Sequence, residues 1–151
     1  MTQNEQTEIP LDLIKQGVNN MGIARLLGMR IEALEDGIGR VSIQVNERLM
    51  HPQQIVHGGV IFTLADTAMS MALLSVISPG TRFSTIEAKI NFLAPVRAGE
   101  LQAEASIVQQ GRSIAVLEAT VYNLYDDART AVARILGTFS IGSSKAPAST
   151  E

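Results

Sequence analysis

His57-Gly58-Gly59-Val60-Ile61-Phe62-Thr63-Leu64-Ala65-Asp66-Thr67-Ala68-Met69 is the stretch that decides the fold. A His-Gly-Gly turn opens it, and the residues that follow predict one long helix from about Gly58 to Val76, ending near Ser78-Pro79-Gly80. A helix that is apolar on every side is one surrounded by protein. Between Leu49 and Thr81 the only formally charged side chain is Asp66. A carboxylate there costs several kcal/mol unless it is paired or hydrogen-bonded. Chemistry is the leading reason to keep it, and capping by Thr or Ser hydroxyls or ion pairing is the structural alternative.

The helix is long enough to suggest a membrane span. Its central Asp66, the polar Thr63, Thr67, Ser70, Ser75 and Ser78, and the absence of a basic flank point instead to the centre of a soluble domain. Outward from it the period changes. Leu27, Met29, Ile31 and Ala33 alternate with Gly28, Arg30 and Glu32, as on a half-buried strand. Glu35-Asp36-Gly37 reads as a hairpin turn into a second strand with Val41, Ile43 and Val45 on one face. A short helix is expected within Pro10 to Asn20, with Leu11, Ile14 and Val18 on one side, and Asn46 to Val56 reads as a polar loop.

Four strand-like runs follow the long helix. The first alternates Ile86, Ala88, Ile90 and Phe92, and the second Leu101, Ala103, Ala105 and Ile107. The third runs from Ser113 to Asn123, and the last alternates Ala131, Ala133, Ile135, Gly137 and Phe139. Short turns make neighbouring strands antiparallel, and a helix without a polar face is satisfied by a sheet curling around it. The expectation is an α+β domain, a curved antiparallel β-sheet wrapped around one long central α-helix. That single domain spans 10–142, between a flexible tail at 1–9 and a disordered one at 143–151.

Composition narrows the function classes. With 151 residues, 46% apolar and 18% charged, the chain can bury a core; aromatics at 4% make that core aliphatic. A formal charge of −3 and no basic stripe argue against nucleic acid as a partner. No cysteine means no disulfide, thiolate zinc site or Cys nucleophile. No spacing suited to a metal, no phosphate-binding Gly-rich loop and no G-x-S-x-G elbow is present. The polar, acidic N-terminus is unlike a signal peptide, so the cytoplasm is the expected location.

The element order and the His57, Gly58, Gly59 and Asp66 pattern resemble the hotdog-fold acyl-CoA thioesterases of the PaaI-like, phenylacetate-pathway branch. Lys89-Ile-Asn-Phe-Leu-Ala-Pro95, Gly99 and Gln110-Gly-Arg-Ser113 are further matches, and the resemblance covers roughly residues 20 to 141. It implies hydrolysis of an acyl-CoA to free acid and CoA, with no cofactor beyond the CoA of the substrate. The resemblance assigns the backbone N–H of Gly59 to the thioester oxyanion. Physical chemistry agrees in kind: unpaired N–H groups at a helix start carry positive partial charge, and glycines let a substrate approach the backbone. The structural alternative is that Gly58 and Gly59 only permit tight helix packing.

Asp66 lies seven residues beyond Gly59, roughly 10 Å along the helix, too far to meet the same carbonyl. Two antiparallel copies would bring Asp66 of one beside Gly59 of the other, which is how the resembled family builds its sites. A homodimer at minimum, and by analogy a homotetramer, is expected. Asp66 then acts as nucleophile or general base. His57 orders the turn. His51 stands where the family often carries Asn or Gln to position the water or thioester, with Gln53 and Gln54 near it. Thr85 matches a water-holding Ser or Thr, and Arg97, Arg112 and Ser113 are candidates for contacting CoA. Ala68, Met69, Met71, Ala72 and Leu73 line an acyl channel or fill core. The rival functions are a hotdog hydratase or dehydratase on acyl thioesters, and a non-catalytic acyl-CoA-binding protein.

Overall fold

The computed structural model describes residues 11–144; the expected tail at 1–9 and all of the C-terminal one except Ser143 and Ser144 lie outside these residues. The chain forms α1 (Leu11–Asn19), α2 (Gly22–Leu27), β1 (Met29–Glu35), β2 (Ile38–Gln44), α3 (Gly58–Leu74), β3 (Thr81–Phe92), β4 (Glu100–Gln110), β5 (Ile114–Tyr125) and β6 (Ala128–Ser144). The six strands make one sheet in the order β1-β2-β4-β5-β6-β3, every neighbouring pair antiparallel. No helix among the described residues is long and apolar enough to cross a membrane.

Local chemistry sets most of these boundaries. Asp36 (φ 48°) and Gly37 (φ 78°) both take left-handed backbone, the type I′ geometry that Asp-Gly favours in a two-residue hairpin. The N–H of Gly37 donates to Ser75 Oγ at 2.8 Å, and that hydroxyl donates to Ala72 O at 2.7 Å, tying the hairpin to the end of α3. The helix α2 replaces the expected strand start at Leu27. Gly28, at φ 68°, is its left-handed cap, donating to the carbonyls at its end, so the strand begins only at Met29. At the other end β6 continues to Ser144, two residues past the expected domain boundary.

The helix α3 lies in the concave face of the sheet, chiefly against β2, β4 and β5. Leu64, Ala65, Ala68, Met69, Ala72 and Leu73 are fully buried there, among Val41, Ile43, Leu101, Ala103, Leu117 and Val121. Within one chain, however, the helix is not surrounded. Its other side, with Phe62, Thr63, Asp66, Ser70 and Leu74, is only half-buried, because the sheet covers one side of the cylinder.

Glycine permits the close seating. A Cβ on Gly39 in β2 would be driven into the Ala68 carbonyl and stand 2.6 Å from Ala72 N, both backbone of α3. A Cβ on Gly137 in β6 would instead meet the end of the Met69 side chain, 3.1 Å from its methyl. The strand β3 departs from simple alternation. A bulge between Thr85 and Glu87 inserts Ile86, so Phe83, Thr85, Ala88 and Ile90 turn inward while Ile86 is 55% exposed. The expected Ile86, Ala88, Ile90, Phe92 face is therefore broken at its first member, and Phe92 at its last is also exposed. In β6 the expected face holds from Ala133 to Phe139, whereas Ala131 is exposed.

These two glycines give a stability test. Gly39→Ala is expected to lower unfolding free energy by about 3 kcal/mol, because helix backbone must retreat. Gly137→Ala should cost under about 1 kcal/mol, since a flexible thioether can move aside. Urea unfolding of both variants checks this, and equal losses would contradict it.

Candidate active site

The polar loop before α3 is more ordered than its composition suggests. Asn46 Oδ1 accepts from Arg48 N at 3.1 Å and caps a short 3-10 turn, Glu47–Leu49. A tight hairpin follows, with Met50 bridged to Val56, His51 N–H donating to Ile55 O at 2.6 Å, and His57 N–H donating to Leu49 O at 2.9 Å. Gln54 closes its turn at φ 61°, a conformation costing a side-chain-bearing residue roughly 1–2 kcal/mol. Two contacts offset that cost. Val56 N–H donates to Val96 O at 2.8 Å, and Arg97 Nη1 donates to the carbonyls of Gln54 at 3.1 Å and Gln53 at 3.4 Å.

This hairpin delivers both histidines of the chain to the start of α3. His57 is the N-cap, extended at φ −61° and ψ 133°, and its Nδ1 accepts from Gly59 N–H at 2.9 Å. His51 Nδ1 accepts from Gln53 N–H at 3.2 Å, and the two ring centroids are 6.1 Å apart. An Nδ1 that accepts must be unprotonated, so both neutral rings carry their proton on Nε2 and offer it as a donor.

The two glycine N–H groups at the helix start differ in what they bond. The Gly59 N–H, expected to face the oxyanion, is occupied by His57. The Gly58 N–H has no acceptor among the described residues. Gly58 also packs face-on against Phe92, the last residue of β3: a Cβ there would stand 2.9 Å from the ring's Cζ. Gly58 therefore permits tight packing against β3, whereas a Cβ on Gly59 would meet only the His57 ring of its own turn. Beside Gly58 opens a cavity of about 390 Å³ lined by Ile55, Val56, Ile61 and the segment from Phe92 to Val96, all apolar. Another hollow of about 400 Å³, at the β5–β6 turn from Leu124 to Arg129, shares none of these residues.

Asp66 sits two turns further along, half-buried. Thr85 Oγ1 donates to its Oδ1 at 2.8 Å, the one hydrogen bond its side chain makes among the described residues. The bulge after Thr85 belongs to the strand geometry that turns this hydroxyl inward. Asp66 and Thr85 therefore meet in one chain, as do His51, His57, Gly58 and Gly59. The two groups remain separate: eight residues of helix, about 12 Å, lie between Gly58 and Asp66.

The CoA candidates fall in two places. Arg97 is engaged with the His51 hairpin. Arg112 and Ser113 occupy the exposed β4–β5 turn, where Ser113 O accepts from Ile141 N–H at 2.8 Å. That row lies two residues along the sheet from Thr85. Ala68, Met69, Met71, Ala72 and Leu73 are buried against the sheet, which is the core alternative. No group of three or more metal-ligating side chains is present among the described residues. Sequence reading missed the Phe92 contact and the Arg97 contacts, and only the spacing of Gly58 from Phe92 in space could have revealed the first.

A long helix seated in a curved antiparallel sheet is the hotdog arrangement. A family model described as the thioesterase superfamily matches residues 53–127. The acyl-coenzyme A thioesterase PaaI of Escherichia coli is 32% identical over 105 residues, covering 69% of this chain and 73% of that one. A 1,4-dihydroxy-2-naphthoyl-CoA hydrolase of Listeria monocytogenes is 32% identical over 101 residues, covering 67% and 82%. The crystal structure of thioesterase HI1161 of Haemophilus influenzae superposes with a TM-score of 0.81 at 24% identity, covering 95% and 97%, and shows the shared fold. The chain belongs to the thioesterase superfamily, as a hotdog-fold enzyme of the PaaI-like branch.

The Phe92 contact is testable apart from catalysis. Gly58→Ala is expected to cost about 1–3 kcal/mol through overpacking against the ring. Adding Phe92→Leu should recover at least half of the loss, and thermal unfolding of the three variants measures it. No recovery would mean the ring is not the obstacle.

Proposed function

We propose that this enzyme hydrolyses acyl-CoA thioesters to the free acid and CoA, with each site shared between two subunits. The observation that carries the reading is Asp66, a half-buried carboxylate with one hydroxyl donor and, among the described residues, no cation partner. The relatives named for acyl-CoA and naphthoyl-CoA hydrolysis support the substrate class. The thioester carbonyl docks at the start of α3. The free Gly58 N–H receives its oxygen, with His57 holding Gly59 and the turn in place and His51 adding an Nε2–H donor. The Gly59 amide joins as a donor only when His57 releases it.

In the general-base form of the reaction, the partner's Asp66 takes a proton from water and the resulting hydroxide attacks the carbonyl carbon. The C=O π pair moves onto the oxygen, where helix-terminal N–H groups stabilise it. Collapse expels the CoA thiolate, which is protonated as the acid is released. In the nucleophilic form Asp66 attacks directly and water cleaves the anhydride. Single-turnover hydrolysis in heavy-oxygen water separates the two, since only the anhydride route can label the Asp66 carboxylate. Thr85 holds the reactive carboxylate, and in this reading Arg112 and Ser113, in an exposed turn, receive the nucleotide end of CoA. No cofactor beyond that CoA is invoked, and the cytoplasm is the proposed location.

The sharing of sites follows from distance and from an open edge. Asp66 is too far from Gly58 of its own chain to serve the same carbonyl. The outer edge of β3 has no strand partner among the described residues, and such edges recruit another strand. Two copies joined there, with their half-buried helix faces opposed, form the dimer, and a pair of dimers the tetramer.

Asp66→Asn is expected to lower kcat by about a thousandfold or more while the protein stays folded. Hydrolysis is followed by release of free CoA thiol across aryl, short-chain and long-chain acyl-CoA substrates. Wild-type protein that cleaves none of them would refute the enzyme reading and favour a binding protein; hydration of an enoyl thioester instead would favour the hydratase. Subunit sharing has its own test. Asp66→Asn mixed, after reversible dissociation, with a variant inactive at the helix start (Gly58→Val) should regain about a quarter of wild-type activity through mixed dimers. No regain would place each site within one subunit.

A further inference from the structure

Resting on the thioesterase reading above, we infer that Arg97 is a positioning residue that holds the His51 hairpin in working register, rather than a contact for CoA phosphates. The guanidinium has no carboxylate partner among the described residues. A surface arginine so placed is ordinarily free in water. Here Nη1 is instead directed at two successive main-chain carbonyls, Gln53 O and Gln54 O. These are the carbonyls of the turn whose Gln54 backbone stands at φ 61°. A positive charge at the convergence of two carbonyl dipoles stabilises that turn and no other conformation of it.

The turn in question sets the direction of His51. Gln53 N–H is the donor that fixes the His51 tautomer, and Gln54 N–H donates to His51 O at 2.9 Å. Loss of the Arg97 contacts frees Gln53 and Gln54 together, and with them the donor that keeps the proton of His51 on Nε2. The neighbouring Val56–Val96 backbone bond remains and holds the hairpin to the segment before Arg97, so the fold survives while the imidazole loses its aim. A donor displaced by a fraction of an ångström forfeits transition-state stabilisation, which appears in kcat.

The test compares one acyl group on two carriers: CoA, and N-acetylcysteamine, which keeps the thioester but has no nucleotide. Arg97→Met is expected to lower kcat at least about tenfold on both carriers, with KM for the acyl-CoA changed by less than about threefold. Arg97→Lys, which keeps a donor and the charge, should restore a third or more of the loss on both. Amide hydrogen exchange at His51 and Gln54 should accelerate in Arg97→Met while that of α3 does not. A raised KM confined to the acyl-CoA would overturn the inference and make Arg97 a nucleotide contact. Unchanged kinetics on both carriers would overturn it too. Wild-type protein inactive on both would defeat the function proposed above, and unaltered exchange in Arg97→Met would defeat the clamp independently.

Discussion

The contact on which the rest of this structure depends is the seating of α3 against β2 at Gly39, where helix backbone and strand backbone touch without side chains between them. Dispersion and burial reward the close approach, because Ala65, Ala68 and Ala72 are short enough to let the helix descend into the curved sheet. With that depth set, Leu64, Met69 and Leu73 reach Leu101, Leu117 and Phe139, and one continuous aliphatic core forms with almost no aromatic filling. The hairpin turn at Asp36-Gly37 is then drawn to the helix end through Ser75. The other consequence is what the helix leaves half-exposed: a side carrying Thr63, Asp66 and Ser70 that its own sheet covers only in part.

That half-exposed side is where physics and function meet. A carboxylate fully enclosed by aliphatic core would be neutralised or mispaired. Half-enclosed and tied to Thr85, Asp66 keeps one oxygen engaged and the other without a partner among the described residues. The β3 bulge is part of the same device, since it spends Ile86 outward at the point where the strand turns a hydroxyl toward the helix. At the start of the same helix, His57 engages the Gly59 N–H, while that of Gly58 has no acceptor among the described residues and lies beside an apolar hollow walled by Phe92. In the proposed reaction, a donor at the rim of an apolar hollow acts in a lower dielectric than water, which strengthens its pull on an oxyanion.

Some of this was legible in the chain itself. The mostly apolar run from Val60, whose one charged residue is Asp66, sufficed for a central helix. The periods of two in Leu101–Ile107 and Ala133–Phe139 sufficed for strands whose inner faces are as expected. Gly28 was misread, because a glycine inside an alternating run can continue a strand or cap a helix, and the local pattern Leu26-Leu27-Gly28 fits both. The bulge at Ile86 was invisible for a related reason: an inserted residue changes no residue type, only the phase of the faces after it. His57 could be assigned to the turn from its place before two glycines, whereas Arg97 read simply as a cation, since nothing in its neighbours announces two carbonyls some forty residues away.

The sequence by itself determined most of the elements and the chemistry at hand: one long apolar helix, six strands, and an isolated carboxylate nine residues after the histidine of a His-Gly-Gly turn. These follow from local periodicity and from the cost of desolvating charge, which depend only on residue type and spacing. The tertiary structure decided which strands are neighbours, sending β3 to the sheet edge beside β6 rather than next to β4. It also decided which helix face stays half-exposed, and which of two adjacent glycine N–H groups has no acceptor among the described residues. Those outcomes depend on contacts between residues far apart in the chain, and close packing in three dimensions, not local pattern, chooses among them.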